Sequence, residues 1–372
     1  MRVRDLVYVS KSTLPSAEAN SVHVAHMCEA FVGAGWNLQL RAAAGRTDTT
    51  PRDYYALHRD FDIVFDTPLR HALWLIGRAL SPRRRRAPPM YYGRRIAAME
   101  RLARLGYPVM IELHYLPGKR LLARVQRLIR CRRFLGLVVI SEQLKLELLR
   151  RVEGLDETAV LVSHDGVRAA QIQPPTQSQA TSARVVYSGS LHPGKGIDTL
   201  LAAAAQIPET SFDVYGGSAE QVAQLRERAP RNLRFHGHLP HAELMPRLRD
   251  YDIALAPYGR VVEGARQRAG GPNLADWMSP LKLFEYTAAG LPVVTSDLPV
   301  LRELLQHEVS ALMTEPGNAA ELAAAIFRLG KQPQLRRQLV ENAQRELAQH
   351  TWENRARRLT AFIDRRLDSL PR

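Results

Sequence analysis

The sequence predicts two doubly wound α/β domains, each a parallel sheet flanked by helices, facing one another across a cleft. Three observations lead there. The chain has 372 residues, and a single core of this class rarely grows past roughly 250 before the chain splits. Short apolar runs recur with helical segments between them, the pattern of strands buried on both faces of a parallel sheet. Residues 171–182, rich in Gln, Pro, Ser and Thr, break this alternation and read as a linker, and a second alternation starts directly behind them. The expected organisation is a first domain over 1–172, a linker over 173–183, a second domain over 184–350, and a terminal segment, 351–372.

In the first domain the strands are expected at Leu6–Ser10, Asn37–Leu40, Ile63–Phe65, Val109–Leu113, Leu137–Ile140 and Ala159–Val162. A helix over Val22–Ala34 fits between the first two, closed by Gly35 at the position where a left-handed residue ends a helix. In the second domain the strands are expected at Val185–Ser188, Ser211–Tyr215, Leu233–Phe235, Ile253–Ala256 and Pro292–Ser296. Ligands of open α/β sheets bind beyond the carboxyl ends of the strands, which directs attention to the residues that follow them.

Composition narrows the class. An apolar share of 45% excludes a disordered or fibrous chain, and two cysteines, Cys28 and Cys131, exclude a disulfide framework. The amino terminus lacks the apolar core of a signal peptide, and no run approaches the ~20 apolar residues that cross a bilayer. A cytoplasmic location is expected, with reduced, packed cysteines. The net charge of +15 is concentrated: residues 78–133 hold 16 Lys+Arg and 2 Asp+Glu. That stretch contains Arg83, Arg84, Arg85 and Arg86, then a basic amphipathic segment with Arg120, Arg124 and Arg127 on one face. Such clusters are drawn to anionic lipid headgroups. No nucleic-acid motif accompanies them, so an anionic membrane surface is the expected partner and nucleic acid is not.

The sharpest chemical signal is Met278–Gly290, MSPLKLFEYTAAG. Ser279 suits an N-cap, Pro280 the first helical position and Gly290 the exit. The first turn of such a helix is an anion site, and Lys282 adds an ammonium to it. Glu285, three residues on, shares the face and is placed to accept two hydrogen bonds from a ribose diol. A second signal is the turn from Gly189 to Gly196, GSLHPGKG, between a strand and a helix, where glycines allow close approach of an anion and Lys195 reaches a diphosphate. It is neither a Walker loop nor a dinucleotide fingerprint, and an ordinary strand-to-helix turn remains the alternative. His114 stands at the carboxyl end of the Val109–Leu113 strand, placed to bond a sugar hydroxyl or to shuttle a proton, with a structural histidine as its alternative. Asn20 and Ser21 close the first strand-to-helix loop, where capping competes with binding and is the stronger expectation for Ser21. Asp60 and Asp62 precede a strand instead of ending one, and no Cys/His spacing suggests zinc, so no metal is expected.

Several stretches together carry a family resemblance: YVSKSTLPSAEANSVHVAHMCEAF, VMIELH, VVISEQLKLEL, VVYSGSLHPGKGIDTLL, NLRFHGHLP, MSPLKLFEYTAAGLPVVTSDLPVLREL and TWENRARRL. Nearly end to end, the chain resembles glycosyltransferase family 4, retaining enzymes of the GT-B fold with two Rossmann-like domains. The resemblance implies that Lys195 and Lys282 hold the donor diphosphate, with Gly189, Ser190 and Gly194 in the turn beside it and Ser279 and Leu281 contributing hydroxyl or backbone donors. Glu285 would hold the ribose, the segment around Gly237 and His238 the base, and His114 the transferred sugar. Asn20, Ser21 and Ser141 would lie on the acceptor side, and the terminal helix would return to the first domain. Three positions depart from the pattern: Trp277 stands where the first of two glutamates is usual, Ser190 where an arginine is usual, and Ala19 with Asn20 where a glycine pair is common.

The implied activity is transfer of a hexose from a UDP-, GDP- or ADP-linked sugar to a hydroxyl of a lipid-linked or cell-envelope glycan, with retained configuration and without cofactor or metal. The rival readings are a nucleotide-sugar epimerase or phosphorylase of the same fold, and a nucleotide-sugar-binding protein that has lost catalysis, for which Trp277 and Ser190 are the motives.

Overall fold

The structure is a computed structural model that describes residues 4–80, 88–176, 183–264 and 272–370. The chain forms two compact units, Met1–His164 with Trp352–Arg372, and Asp165–Thr351. In the first unit the elements are β1 (Arg4–Leu14), α1 (Ala19–Gly33), β2 (Trp36–Ala44), α2 (Pro51–Tyr55), β3 (Asp62–Phe65), α3 (Pro68–Leu80), β4 (Met90–Gly93), α4 (Ile96–Arg104), β5 (Val109–Leu113), α5 (Lys119–Leu128), β6 (Phe134–Val139), α6 (Glu142–Arg151) and β7 (Val160–Val162). Its strands make one parallel sheet in the order β3-β2-β1-β4-β5-β6-β7.

The second unit contains β8 (Arg184–Ser188), α7 (Ile197–Gln206), β9 (Ser211–Tyr215), α8 (Ala219–Arg226), β10 (Leu233–Gly237), α9 (His241–Arg247), β11 (Ile253–Ala256), α10 (Leu281–Ala288), β12 (Val293–Ser296), β13 (Leu312–Thr314), α11 (Ala319–Lys331) and α12 (Pro333–Leu347). Its six strands form a second parallel sheet, ordered β10-β9-β8-β11-β12-β13. The last helix, α13 (Trp352–Asp368), belongs to the first unit. There Trp36 Nε1 donates to Thr360 Oγ1 at 2.8 Å, and Arg366 Nε donates to the Leu135 carbonyl at 2.7 Å.

Several expected details are corrected. β4, which joins β1 to β5, was not expected, because Met90–Gly93 is a four-residue run inside the basic stretch, and the three-residue edge strand β13 was missed in the same way. β1 runs on to Leu14 and α1 begins at Ala19, so Asn20 and Ser21 lie inside the helix, not in a loop. Ser21 does not cap: its Oγ donates to the Thr13 carbonyl at 2.9 Å and accepts from Ser16, tying the helix to the end of β1. Asn20 Oδ1 accepts from Ser12 Oγ. Ser141 caps α6, its Oγ accepting from Leu144 N–H at 3.3 Å.

The units part at His164, ahead of the expected boundary at 172, because Val167 pairs with Thr351 and packs against Phe284, Ala288 and Leu347. The expected linker is partly fastened too: Gln173 N–H donates to the Ala288 carbonyl at 2.7 Å and Thr176 N–H to the Gly290 carbonyl at 3.0 Å, while 177–182 lie outside the described residues.

Arg83, Arg84, Arg85 and Arg86 also lie outside the described residues. The arginine face expected on α5 is largely spent within the unit. Arg124 and Arg127 each reach the buried Glu100 carboxylate at 2.6 Å, and only Arg120 of the three has no such partner among the described residues. Burial alone would raise Glu100, but the two guanidiniums hold it below the usual carboxylate range. Asp60 pairs with Arg52 at 2.7 Å, and Asp62 accepts from Gln39 at 2.6 Å.

Candidate active site

The second unit gathers a basic cluster at the carboxyl ends of its central strands. β8 leads into Gly189, whose N–H donates to the Tyr215 carbonyl at the end of β9 at 2.9 Å, and Gly216 N–H donates to the Gly237 carbonyl at the end of β10 at 2.7 Å. Three strand ends are thereby knitted into one rim. Tyr286 from α10 fastens that rim to the helix: its hydroxyl accepts from Ser188 N–H at 2.7 Å and from Ser188 Oγ at 3.0 Å.

This stitching brings Lys282 over Gly189. The lysine Nζ lies 3.8 Å from the Tyr187 ring centroid and 5.4 Å from that of Tyr258, and Lys195 Nζ lies 5.4 Å from the same Tyr258 ring. A Cβ built on Gly189 would stand 2.9 Å from Lys282 Nζ, and the φ of +136° disfavours any side chain there. Gly194 is equally constrained, since a Cβ would meet the Val261 carbonyl oxygen at 1.9 Å, and its own carbonyl accepts from Gly259 N–H at 2.8 Å. The turn needs glycines because backbone and cation occupy the space a side chain would take.

Lys282 Nζ is buried and makes no hydrogen bond among the described residues. Burial, together with the Lys195 ammonium, pushes its pKa well below the lysine range, against the opposing pull of Glu285. Burial likewise brings Lys195 down to about 8. Two desolvated amines of like charge are a costly arrangement on their own, and an anion between them would stabilise both charged forms. Tyr187 and Tyr258 supply negative ring faces that offset part of that cost.

Glu285 stands one turn deeper and accepts from or pairs with His241 Nε2 at 2.9 Å, a partner that nothing in the spacing of the sequence indicates. Ser279 is a correction: it does not cap α10. The helix starts at Leu281 with Pro280 in the cap position, and the buried Ser279 hydroxyl accepts from Asp165 N–H at 2.9 Å. The hydroxyl accepts that bond and keeps its own O–H to donate, so Ser279 stays beside Lys282 and the first-turn amides as a candidate anion donor. Ser190 is exposed, and its carbonyl accepts from the Tyr187 hydroxyl at 2.8 Å. Leu281 is buried, Trp277 is half-buried where a short helical turn over Leu274–Asp276 ends, and His238 is exposed just past Gly237.

His114 belongs to the first unit, at the end of β5, and sits in a network that the sequence did not reveal. Its hub is Glu112, wholly buried, whose Oε1 lies 2.6 Å from His114 Nε2, 2.9 Å from Arg355 Nη2, 3.0 Å from His23 Nε2 and 3.7 Å from Arg94 Nη2. Its Oε2 accepts from the Tyr92 hydroxyl at 2.6 Å and from that of Tyr8 at 3.3 Å. Burial alone would raise Glu112, yet Arg355, His23 and Arg94 hold it far below the usual carboxylate range. Burial and the Arg94 guanidinium bring His114 down to about 3, so its imidazole is neutral. Its Nε2 faces both the Glu112 carboxylate, which accepts from an Nε2–H, and the Arg94 guanidinium at 2.5 Å, which donates to a bare Nε2. Arg355 comes from α13, so the terminal helix completes the hub.

A family model described as glycosyl transferase-like matches residues 197–361, which include the Lys282–Glu285 helix. Over that stretch, which is under half of its length, the chain is similar to glycosyl transferases. Among its relatives, the glycogen synthase of Mycobacterium tuberculosis is 30% identical over 182 residues, which cover 46% of this chain and 40% of that protein. A phosphatidyl-myo-inositol mannosyltransferase of Mycolicibacterium smegmatis is 29% identical over 167 residues, covering 43% of this chain and 39% of the relative. The matches thus span about 40% of the length of these curated relatives. The Anabaena HepE protein, solved with UDP, superposes with a TM-score of 0.71 at 16% identity, over 97% of this chain and 100% of that one. The two parallel sheets with alternating helices are those of the GT-B fold.

Proposed function

We propose that this chain moves a hexose from a nucleotide diphosphate sugar to a hydroxyl of a lipid-linked or cell-envelope glycan, in the cytoplasm, with retained anomeric configuration and without a metal ion. The observation that carries the reading is the Lys282 ammonium, buried without a hydrogen-bond partner among the described residues and held beside Lys195 over a glycine turn.

In the proposed reaction the bond between the anomeric carbon and the diphosphate oxygen breaks, and the acceptor oxygen bonds to that carbon on the same face. The acceptor's proton goes to the departing phosphate oxygen. Negative charge grows on the diphosphate as the bond lengthens, so cations placed beforehand favour the transition state over the bound donor. Lys195, Lys282 and the first turn of α10 supply that field. Glu285 would take the ribose hydroxyls, and the Gly237–His238 segment the base. The names of the relatives, a glycogen synthase and a lipid mannosyltransferase, support a glycosyl donor and leave UDP-, GDP- and ADP-linked sugars as the donors to compare.

The test is incubation of each donor with lipid-linked envelope glycans, with the anomeric coupling of the product read by NMR. A product with the donor's configuration is expected. Inverted product, a sugar epimerised without acceptor, or donor binding with no turnover across the acceptor panel would each overturn the proposal.

A further inference from the structure

We propose that the outer face of α3 is a membrane-seating surface, which lays an aliphatic stripe into a bilayer of anionic lipids. The proposal goes beyond the transfer reaction and does not depend on it. Leu69, Leu73, Ile76 and Leu80 are 68%, 56%, 53% and 77% exposed. They are four of the nine large apolar side chains exposed among the described residues, and no two of the other five share a helix. Their spacing of four, three and four residues places them on one helical face.

The stripe is not a core face turned outward by poor packing, because the opposite side of α3 is firmly held. His71 and Leu75 are buried against the unit. His71 Nδ1 lies 3.2 Å from Asp66 Oδ2, and Arg41, which pairs with Asp66, lies 4.4 Å above the Trp74 ring. Trp74 in turn meets the Tyr91 ring edge-on at 6.0 Å between centroids. The helix therefore has an inner seat and an apolar outer face at the same time.

Charge identifies the occupant. Between Asp66 and Glu100 the sequence holds eight arginines and no acidic residue. Two of them, Arg70 and Arg78, are on α3 itself. Arg70 is exposed on the helix, four more arginines at 83–86 follow it in sequence, and Arg94 is taken up by Glu112; an aliphatic stripe set in a segment of net positive charge matches a surface that joins hydrocarbon to phosphate, which is an anionic bilayer. With 13 residues α3 is too short to span one, so it would lie in the interface. Arg124 and Arg127 of α5, already paired with Glu100, are less available for the role.

The experiment is flotation of the full chain with vesicles of phosphatidylglycerol and phosphatidylcholine, with phosphatidylcholine vesicles, and without lipid, each at low and high salt. The wild type should float with the anionic vesicles, less so at high salt. The double variant Leu73→Glu/Ile76→Glu should lose at least about tenfold in vesicle partition, with an unchanged melting temperature, since both side chains are exposed. Leu69→Glu/Leu80→Glu is the independent second variant. Retained flotation of both folded variants, flotation equal on neutral vesicles, or a concentration-dependent dimer that the variants dissolve in the absence of vesicle binding would overturn the proposal. None of these readouts involves donor or acceptor, so loss of the transferase reading would leave them unaffected.

Discussion

Lys282→Met lowers turnover by about a hundred- to a thousandfold while raising the melting temperature of the free protein. The first effect follows from removing one preorganised cation from a dry site where charge develops, a loss of the size seen when a single oxyanion donor is deleted. The second follows from the buried state of the amine: its Nζ has no hydrogen-bond partner among the described residues, lies beside Lys195, and carries a pKa pushed far down by burial. An isosteric apolar side chain removes that penalty and keeps the contact with the Tyr187 ring. The pH dependence has a definite sign. A lysine whose folded pKa is depressed binds its proton less readily than in the unfolded chain, so stability rises with pH between the two values. For Lys195 that interval opens at about 8 and closes at 10.5, and tyrosine ionisation intervenes near 10. Melting curves of the wild type should therefore climb from about pH 8 upward, and those of Lys282→Met should climb less. Saturating nucleoside diphosphate should flatten the slope, because the bound anion restores both protons. A folded Lys282→Met with near-normal turnover would contradict the assignment.

Glu112→Gln destabilises the first unit by about 3–5 kcal/mol, the cost of leaving buried cations without their counter-charge. Arg355 is 1% exposed and Glu112 wholly buried, and besides Glu112 the guanidinium donates to the backbone carbonyls of Ser163 and His164, at 3.0 Å and 2.9 Å. For a unit of this size the melting transition should fall by about 10 °C. Glu112→Gln/Arg355→Met should recover part of the loss, because the orphaned charge leaves with its partner. Urea denaturation of the two single variants and the double variant checks this. A change below about 1 kcal/mol in Glu112→Gln would show that the hub is not what holds His114 and α13 in place.

The strands that were legible from sequence are those bounded by turn residues and made of uninterrupted apolar runs, such as Val109–Leu113 and Ser211–Tyr215, whose observed limits match expectation. β4 escaped because two tyrosines between arginines and a glycine carry no run long enough to stand out. In the second unit the lysines, Glu285 and the glycine turn were legible because each is local: a residue type at a strand end or in a first helical turn. The aromatic rings beneath the lysines and the His241 partner of Glu285 were not, since they come from other strands and helices and obey no spacing rule. The Glu112 hub was hidden for the same reason. It draws on residues 8, 23, 92, 94, 114 and 355, which only the folded sheet and α13 bring together. Ser279 was misread because a serine before a proline has the signature of a cap, while tertiary structure gave its hydroxyl to Asp165.

The central claim is that a diphosphate occupies the space between Lys195 and Lys282. A crystal structure of the chain with UDP, GDP or ADP tests it most directly. The account predicts phosphate oxygens at about 2.7–2.9 Å from both ammonium groups, with the ribose on the Glu285 carboxylate. A nucleotide bound elsewhere, or bound with Lys282 still turned against the Tyr187 ring and out of reach of the phosphates, would contradict it.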